Sequence, residues 1–214
     1  MLDKDEIQEV ISARVAKEFK NGDTVTLGIG LPTKALKYLP QNIKVLVQSE
    51  NGVLGVGAYQ TDENRDLRIV NAGGVGVTIS EGGCFMDSLT TFSMMRGGHI
   101  DVTVLGALQA DAEGNLANWC IPHKFTPGMG GAMDLVVGTK KLIIAMEHNA
   151  KGAPKILNRC TLPLTAEHKV DMIITEKAVF EIKNRRLYLT EINPASSLED
   201  IKQTTEADFE IALK

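Results

Sequence analysis

The chain has 214 residues, of which 43% are apolar and only 5% aromatic, so one α/β domain over residues 1–214 is expected, with a core of Val, Ile, Leu, Ala and Met. Its 23 Lys and Arg stand against 27 Asp and Glu, a formal charge of -4 with no basic run to offset it, which argues against nucleic acid as a partner. No apolar run reaches 18 residues, the N-terminus lacks the order of a signal peptide, and Cys84, Cys120 and Cys160 fit neither CxxC spacing nor a disulfide framework; a soluble cytoplasmic protein without membrane attachment is expected.

Asp3 followed three residues later by Glu6 can form a capping box, after which Ile7, Ile11, Val15 and Phe19 make one apolar helical stripe that Asn21-Gly22 is expected to stop. Residues 24–29 read as a strand, Gly28-Ile29-Gly30 as a turn, and 33–39 as a short helix after Pro32. A second buried strand, 44–48, runs directly into Ser49-Glu50-Asn51-Gly52 and a glycine-rich stretch ending at Gly57. Further strands are expected over 67–70, 75–79, 102–108, 141–146, 170–175, 179–182 and 187–191, with helices over 86–96 and 198–204. Strands alternating with helices predict a mostly parallel sheet with flanking helices, and the closely spaced strands after residue 169 predict an antiparallel hairpin at one edge.

Glu50 stands out by position, because open α/β sheets place their ligand sites at the carboxyl ends of strands. Asn51-Gly52 favours a sharp turn with positive φ, which would leave the carboxylate projecting into a crevice. The bland alternative is an exposed turn glutamate. Three more glycine-rich segments adjoin strands: Gly28-Ile29-Gly30-Leu31-Pro32, Asn71-Ala72-Gly73-Gly74, and Gly128-Met129-Gly130-Gly131-Ala132-Met133-Asp134. Each lets backbone approach a ligand and can offer N–H donors to phosphate, amide or oxyanion groups, although each also reads as a tight turn.

Four motifs taken together resemble the beta subunit of 3-oxoacid CoA-transferases, including the bacterial butyrate/acetoacetate and acetate/acetoacetate enzymes. They are Gln48-Ser49-Glu50-Asn51-Gly52-Val53-Leu54-Gly55, Met95-Arg96-Gly97-Gly98-His99-Ile100-Asp101, Gly114-Asn115-Leu116-Ala117-Asn118-Trp119, and the segment from Gly128 to Leu135. Cys160-Thr161-Leu162-Pro163-Leu164-Thr165 is also in register, and the resemblance runs from the first helix to about Phe209. It implies a CoA-transferase α/β fold related to that of sugar-phosphate isomerases. It implies that Glu50 is a covalent nucleophile forming an acyl anhydride and then a glutamyl-CoA thioester. Coenzyme A is then a substrate and covalent intermediate rather than a resident cofactor, and no metal is called for. It also implies a separately encoded alpha subunit, with the active site at the junction of the two and an alpha2beta2 assembly.

Gly28, Gly30, Asn51, Gly52, Gly128, Gly130 and Gly131 are the candidate CoA-binding or oxyanion residues that the resemblance and the position beside Glu50 single out. Lys124 and Lys151 are candidates for CoA phosphates, with solvated lysines as the alternative. His123 stands where close relatives are expected to have glycine. The other histidines, His99, His148 and His168, read as packed or solvated, and Arg96 as a helix-end cation. Two competing readings are a sugar-phosphate isomerase with Glu50 as base, and a ligand-sensing domain that has lost the chemistry. The isomerase predicts aldose/ketose interconversion without CoA, and the sensor predicts CoA binding without exchange.

Overall fold

The expected capping box forms: Asp3 Oδ1 accepts the N–H groups of Asp5 and Glu6, both at 2.9 Å, while Glu6 Oε2 accepts that of Asp3 at 2.8 Å. It opens helix α1, Lys4–Ala16, in a computed structural model that describes residues 3–126 and 128–214. The helix ends five residues before Asn21, and Gly22, with φ 91°, turns the chain into the first strand instead.

The described residues build a ten-stranded sheet from β1 (Thr24–Leu27), β2 (Leu46–Ser49), β3 (Val53–Tyr59), β4 (Val77–Phe85), β5 (Val102–Leu105), β6 (Lys141–Ala145), β7 (Met172–Ile174), β8 (Ala178–Lys183), β9 (Arg186–Ile192) and β10 (Glu210–Ile211). Its order is β10-β9-β8-β7-β6-β5-β1-β2-β3-β4. The central strands β2, β1, β5, β6 and β7 are mutually parallel, so the fold is α/β with a mostly parallel sheet, as the element pattern predicts. The chain passes from β1 to β2 on one side and later returns to β5 on the other, and such a reversal opens a crevice at the carboxyl ends of the strands.

Both faces of the central strands are buried, which is why they read as continuous apolar runs. Ile11, Val15 and Phe19 cover one face with Val25, Val102, Val104 and Ile143. The other face packs Leu105, Leu142 and Ile144 beneath Met95 of helix α2 (Ser88–Arg96) and Leu135 of helix α3 (Ala132–Gly138). Helix α4, Leu198–Thr204, matches its expected bounds and adds Ile201 to this second cluster.

Several expectations need correction. The edge hairpin after residue 169 is present as β7-β8-β9, with β10 laid parallel against its rim. A second antiparallel unit, β2-β3-β4, occupies the opposite edge, where the sequence reads as a glycine-rich loop followed by short strands. The glycines permit this pairing: a Cβ on Gly55 would lie 2.7 Å from the Gly83 Cα, and one on Gly57 would lie 2.6 Å from Thr78 Oγ1. Only glycine allows strands to approach so closely, and the register shifts between Leu54 and Tyr59 are the bulges that follow. Residues 67–70 form a turn in which Val70 makes a lone bridge to Gly76. The short helix expected over 33–39 is present as a 3-10 helix, Leu31–Tyr38. The strand expected over 102–108 stops at Leu105, and Gln109–Asp111 joins a separate three-stranded sheet.

His123 adopts φ 61°, a left-handed backbone that glycine takes without cost. It sits in a turn closed by the Ile121–Phe125 bridge, which accounts for glycine being the residue expected there.

Candidate active site

The turn that carries Glu50 is a three-residue hairpin loop. Ser49 pairs with Val53 across it, the Gly52 N–H donates to the Ser49 carbonyl at 3.0 Å, and Gly52 takes φ 103°. A turn followed by a residue of positive φ is the usual geometry for a hairpin loop of this length. No other residue fits at Gly52, because a Cβ there would lie 2.2 Å from the Met86 carbonyl oxygen. The Met86 N–H in turn donates to the Gly52 carbonyl at 2.8 Å. The positive φ expected of Asn51-Gly52 is thus present at Gly52.

The Glu50 side chain, half-buried, meets the loop that precedes α3. Its Oε1 accepts the Gly131 N–H at 3.1 Å. A Cβ on Gly131 would lie 2.6 Å from Oε2 and 2.9 Å from the carboxyl carbon, and one on Gly130 would lie 3.2 Å from Oε1. The two glycines let main chain, rather than side chain, line one flank of the carboxylate. Gly131 is the N-cap of α3, where main-chain N–H groups not used by the helix point outward and favour a negative charge.

The other glycine loops converge on the same strand ends. Ala72 donates its N–H to Ser49 Oγ at 2.9 Å, which brings loop 71–74 against the turn. A Cβ on Gly73 would lie 3.3 Å from Ile29 Cγ1, so loop 28–30 lies against loop 71–74. Loop 128–131 reaches Glu50 through Gly131, as above. Three loops that the sequence offers separately therefore meet around the end of β2.

Individual residues depart from their simplest roles. The Gly28 N–H donates to the Val104 carbonyl at 2.8 Å and a Cβ there would touch Leu105, so Gly28 seats the end of β1 against β5 and its N–H is already engaged. The Asn51 side-chain amide donates to the Val70 carbonyl at 2.8 Å. Gly30 and Gly128, with φ 89° and 90°, both have open space where a Cβ would stand. Lys124 and Lys151 are exposed, and Lys151 has φ 51°.

His148, Cys160 and Arg96 have structural roles. His148 is fully buried between Thr175 Oγ1, 3.0 Å from Nδ1, and Thr205 Oγ1, 2.9 Å from Nε2. Burial pulls it down to about 4, with the Lys177 charge adding to the effect, so it packs as a neutral ring. The Cys160 thiol is pushed up to about 12 by burial and by Asp111 nearby, which removes it as a thiolate nucleophile. Arg96 pairs with Asp134 at 2.5 Å and thereby pins α2 to α3 beside the Glu50 loop. Sequence reasoning missed both α3 and the Ser49–Ala72 and Asn51–Val70 ties. The apolar pair Leu135-Val136 behind three glycines was the one available signal for α3.

Among the described residues no three His, Cys, Asp or Glu side chains are grouped as metal ligands, and no helix is long and apolar enough to cross a membrane.

The family profile described as Coenzyme A transferase matches residues 8–204. The chain is 54% identical over 206 residues to the beta subunit of the acetate CoA-transferase of Haemophilus influenzae, covering 96% of this chain and 92% of that protein. It is 46% identical over 208 residues to the counterpart chain in the succinyl-CoA:3-ketoacid coenzyme A transferase of Helicobacter pylori, covering 97% of this chain and all of that one. Among solved structures, the acyl-CoA transferase (YdiF) apoenzyme of Escherichia coli O157:H7 superposes on the whole chain with a TM-score of 0.76 at 21% identity. This chain spans 44% of the length of that protein.

Proposed function

The chain belongs to the coenzyme A transferase family, and we propose that it is the subunit of such an enzyme that carries the nucleophile, Glu50. The observation that carries this reading is the carboxylate held against the Gly131 N–H with no side chain between them. A carboxylate is a modest nucleophile, so its usefulness depends on being positioned, given main-chain donors and kept from water.

In the proposed cycle Glu50 attacks the carbonyl carbon of an acyl-CoA. The carbon–sulfur bond breaks, CoA leaves as thiolate, and a mixed glutamyl–acyl anhydride remains. The thiolate then attacks the glutamyl carbonyl carbon, giving a glutamyl-CoA thioester and releasing the first acid as its carboxylate. A second carboxylate repeats these steps in reverse and leaves as the new acyl-CoA. Each step exchanges one acyl bond for another, so the thioester's energy is conserved without ATP.

Two of the four attacks fall on the carboxyl carbon of Glu50 itself. The Gly131 N–H, already 3.1 Å from Oε1, is the donor suited to the negative charge that builds on that oxygen. Gly130 and Gly128 in the same loop, with Gly30, complete the proposed CoA and oxyanion surface, while Gly52, whose N–H goes to the Ser49 carbonyl and whose Cα abuts the Met86 carbonyl, shapes the turn that presents Glu50. Asn51 and Gly28 serve it through backbone placement, because their assigned hydrogen bonds go to Val70 and Val104.

The relatives are named as beta or B subunits, which implies an alpha partner, and the solved chain of more than twice the matched length supports an enzyme with a second half. We place the working enzyme as an alpha2beta2 complex in the cytoplasm, a setting that suits three unpaired cysteines, with residues 1–214 as one domain of it. Short-chain acids are the expected substrates, acetoacetate exchanging with acetate or butyrate and succinate a lesser donor. The test is the co-expressed two-subunit complex, measured for consumption of acetoacetyl-CoA with acetate, butyrate and succinate as acceptors. Exchange with acetate or butyrate is expected; aldose/ketose interconversion without CoA would point to the isomerase chemistry instead.

A further inference from the structure

The residues on either side of Glu50 are bonded to a segment about twenty positions further along the chain. The hydroxyl of Ser49, a residue only 8% exposed, accepts the Ala72 N–H at 2.9 Å, and the Asn51 side-chain amide donates to the Val70 carbonyl at 2.8 Å. The two bonds grip residues 70–72 from both flanks of the nucleophile. That segment is itself fixed. Asn71 Oδ1 accepts the N–H groups of Gly73 at 2.9 Å and Val75 at 3.1 Å, while the Asn71 N–H donates to the Val75 carbonyl at 2.9 Å. Gly74 closes the loop by donating to the Asn71 carbonyl at 2.9 Å.

A hairpin tip joined to its sheet only through β2 and β3 can tilt about the strand ends. One whose flanks are bonded to a self-braced loop has little freedom to do so. The Gly131 backbone meets the carboxylate itself, so closely that a Cβ there would overlap it. The brace acts on the residues flanking Glu50, and the Gly131 N–H acts on its carboxylate.

We infer that Ser49 and Asn51 are positioning residues: through Ala72 and Val70 they hold the backbone of Glu50 where its carboxylate meets the Gly131 N–H, and they do not themselves bind the thioester. This rests on the reading of Glu50 as the nucleophile. A displacement of about 1 Å at a reacting group costs on the order of 100-fold in rate, so loss of either tie acts on covalent chemistry and spares ligand affinity.

The experiment uses the co-expressed two-subunit complex and two readouts. One is the single-turnover rate at which acetoacetyl-CoA converts this chain to its covalent adduct, followed by intact mass. The other is the dissociation constant for CoA. Ser49→Ala and Asn51→Ala are each expected to slow adduct formation about 10- to 100-fold while CoA affinity stays within about twofold of the parent. Asn51→Asp, of the same shape but without the donor, should be as slow as Asn51→Ala, and Ser49→Thr, which keeps the hydroxyl, should recover rate relative to Ser49→Ala. Should Ser49→Ala fail to assemble, the exposed Asn51 carries the test. Parent-like adduct rates in both alanine variants, with Glu50→Ala inert, overturn the positioning role alone, and so does a fall in CoA affinity large enough to account for the slowing. Adduct formation at the parent rate in Glu50→Ala overturns the nucleophile reading itself, and this inference falls with it.

Discussion

Glu50 and Gly131, 81 positions apart in sequence, meet through one hydrogen bond of 3.1 Å, and the hydrogen that glycine carries in place of a side chain is all that separates the Gly131 backbone from the carboxyl carbon. The pairing makes residue identity at 131 a matter of room for the Glu50 carboxylate rather than of backbone conformation. Gly131 has φ -85° and ψ 6°, a negative-φ bridge conformation that alanine can adopt and that does not require glycine.

Gly131→Ala is therefore expected to leave folding nearly intact while displacing the Glu50 carboxylate. Turnover by the two-subunit complex should fall by about 100-fold or more, with a thermal midpoint within a few degrees of the parent. A variant that keeps full turnover would show that the carboxylate does not work from the position described.

Gly52 presents the contrasting case, because both its φ of 103° and the 2.2 Å approach to the Met86 carbonyl exclude a side chain. Gly52→Ala should destabilise the chain by about 1–3 kcal/mol from backbone strain, more if Met86 cannot shift. Urea titration followed by circular dichroism reads this directly. An unchanged midpoint would mean that the hairpin accommodates another turn type.

Much of this was legible from residue pattern. The capping box at Asp3 and Glu6, the α1 stripe and the buried strands near 24, 102, 141 and 172 follow from spacing and apolar runs. Glu50 was legible as a strand-end carboxylate before an Asn-Gly turn. What escaped depends on contacts between distant residues. Glycines in β3 and β4 read as loop because their strand role appears only when Gly55 meets Gly83 and Gly57 meets Thr78. Likewise Asn51 reads as a ligand contact until the Val70 carbonyl, nineteen residues away, is seen to accept a hydrogen bond from its amide, and Gly28 reads as a free donor until Val104 is found opposite.

His148 sets a pH dependence of stability. Its folded value is near 4 against an ordinary 6.5, because burial disfavours the charged ring. Between these values the unfolded chain binds a proton that the folded chain refuses, so stability is full above about pH 6.5 and declines as pH falls toward 4. The difference amounts to on the order of 3 kcal/mol. Urea midpoints at pH 7 and pH 4.5 should differ less in His148→Gln than in the parent, even though the variant is weaker at neutral pH through loss of the Thr175 and Thr205 contacts. Parallel pH curves for the two proteins would exclude His148 as the source.

The most direct measurement concerns the covalent bond. The two-subunit complex is incubated with acetoacetyl-CoA, trapped with borohydride or hydroxylamine, digested and mapped by mass spectrometry. The account predicts modification at Glu50 alone, and in Glu50→Ala no adduct and a loss of turnover of about 10⁴-fold or more. Modification at any other residue, or undiminished turnover by Glu50→Ala, would contradict it.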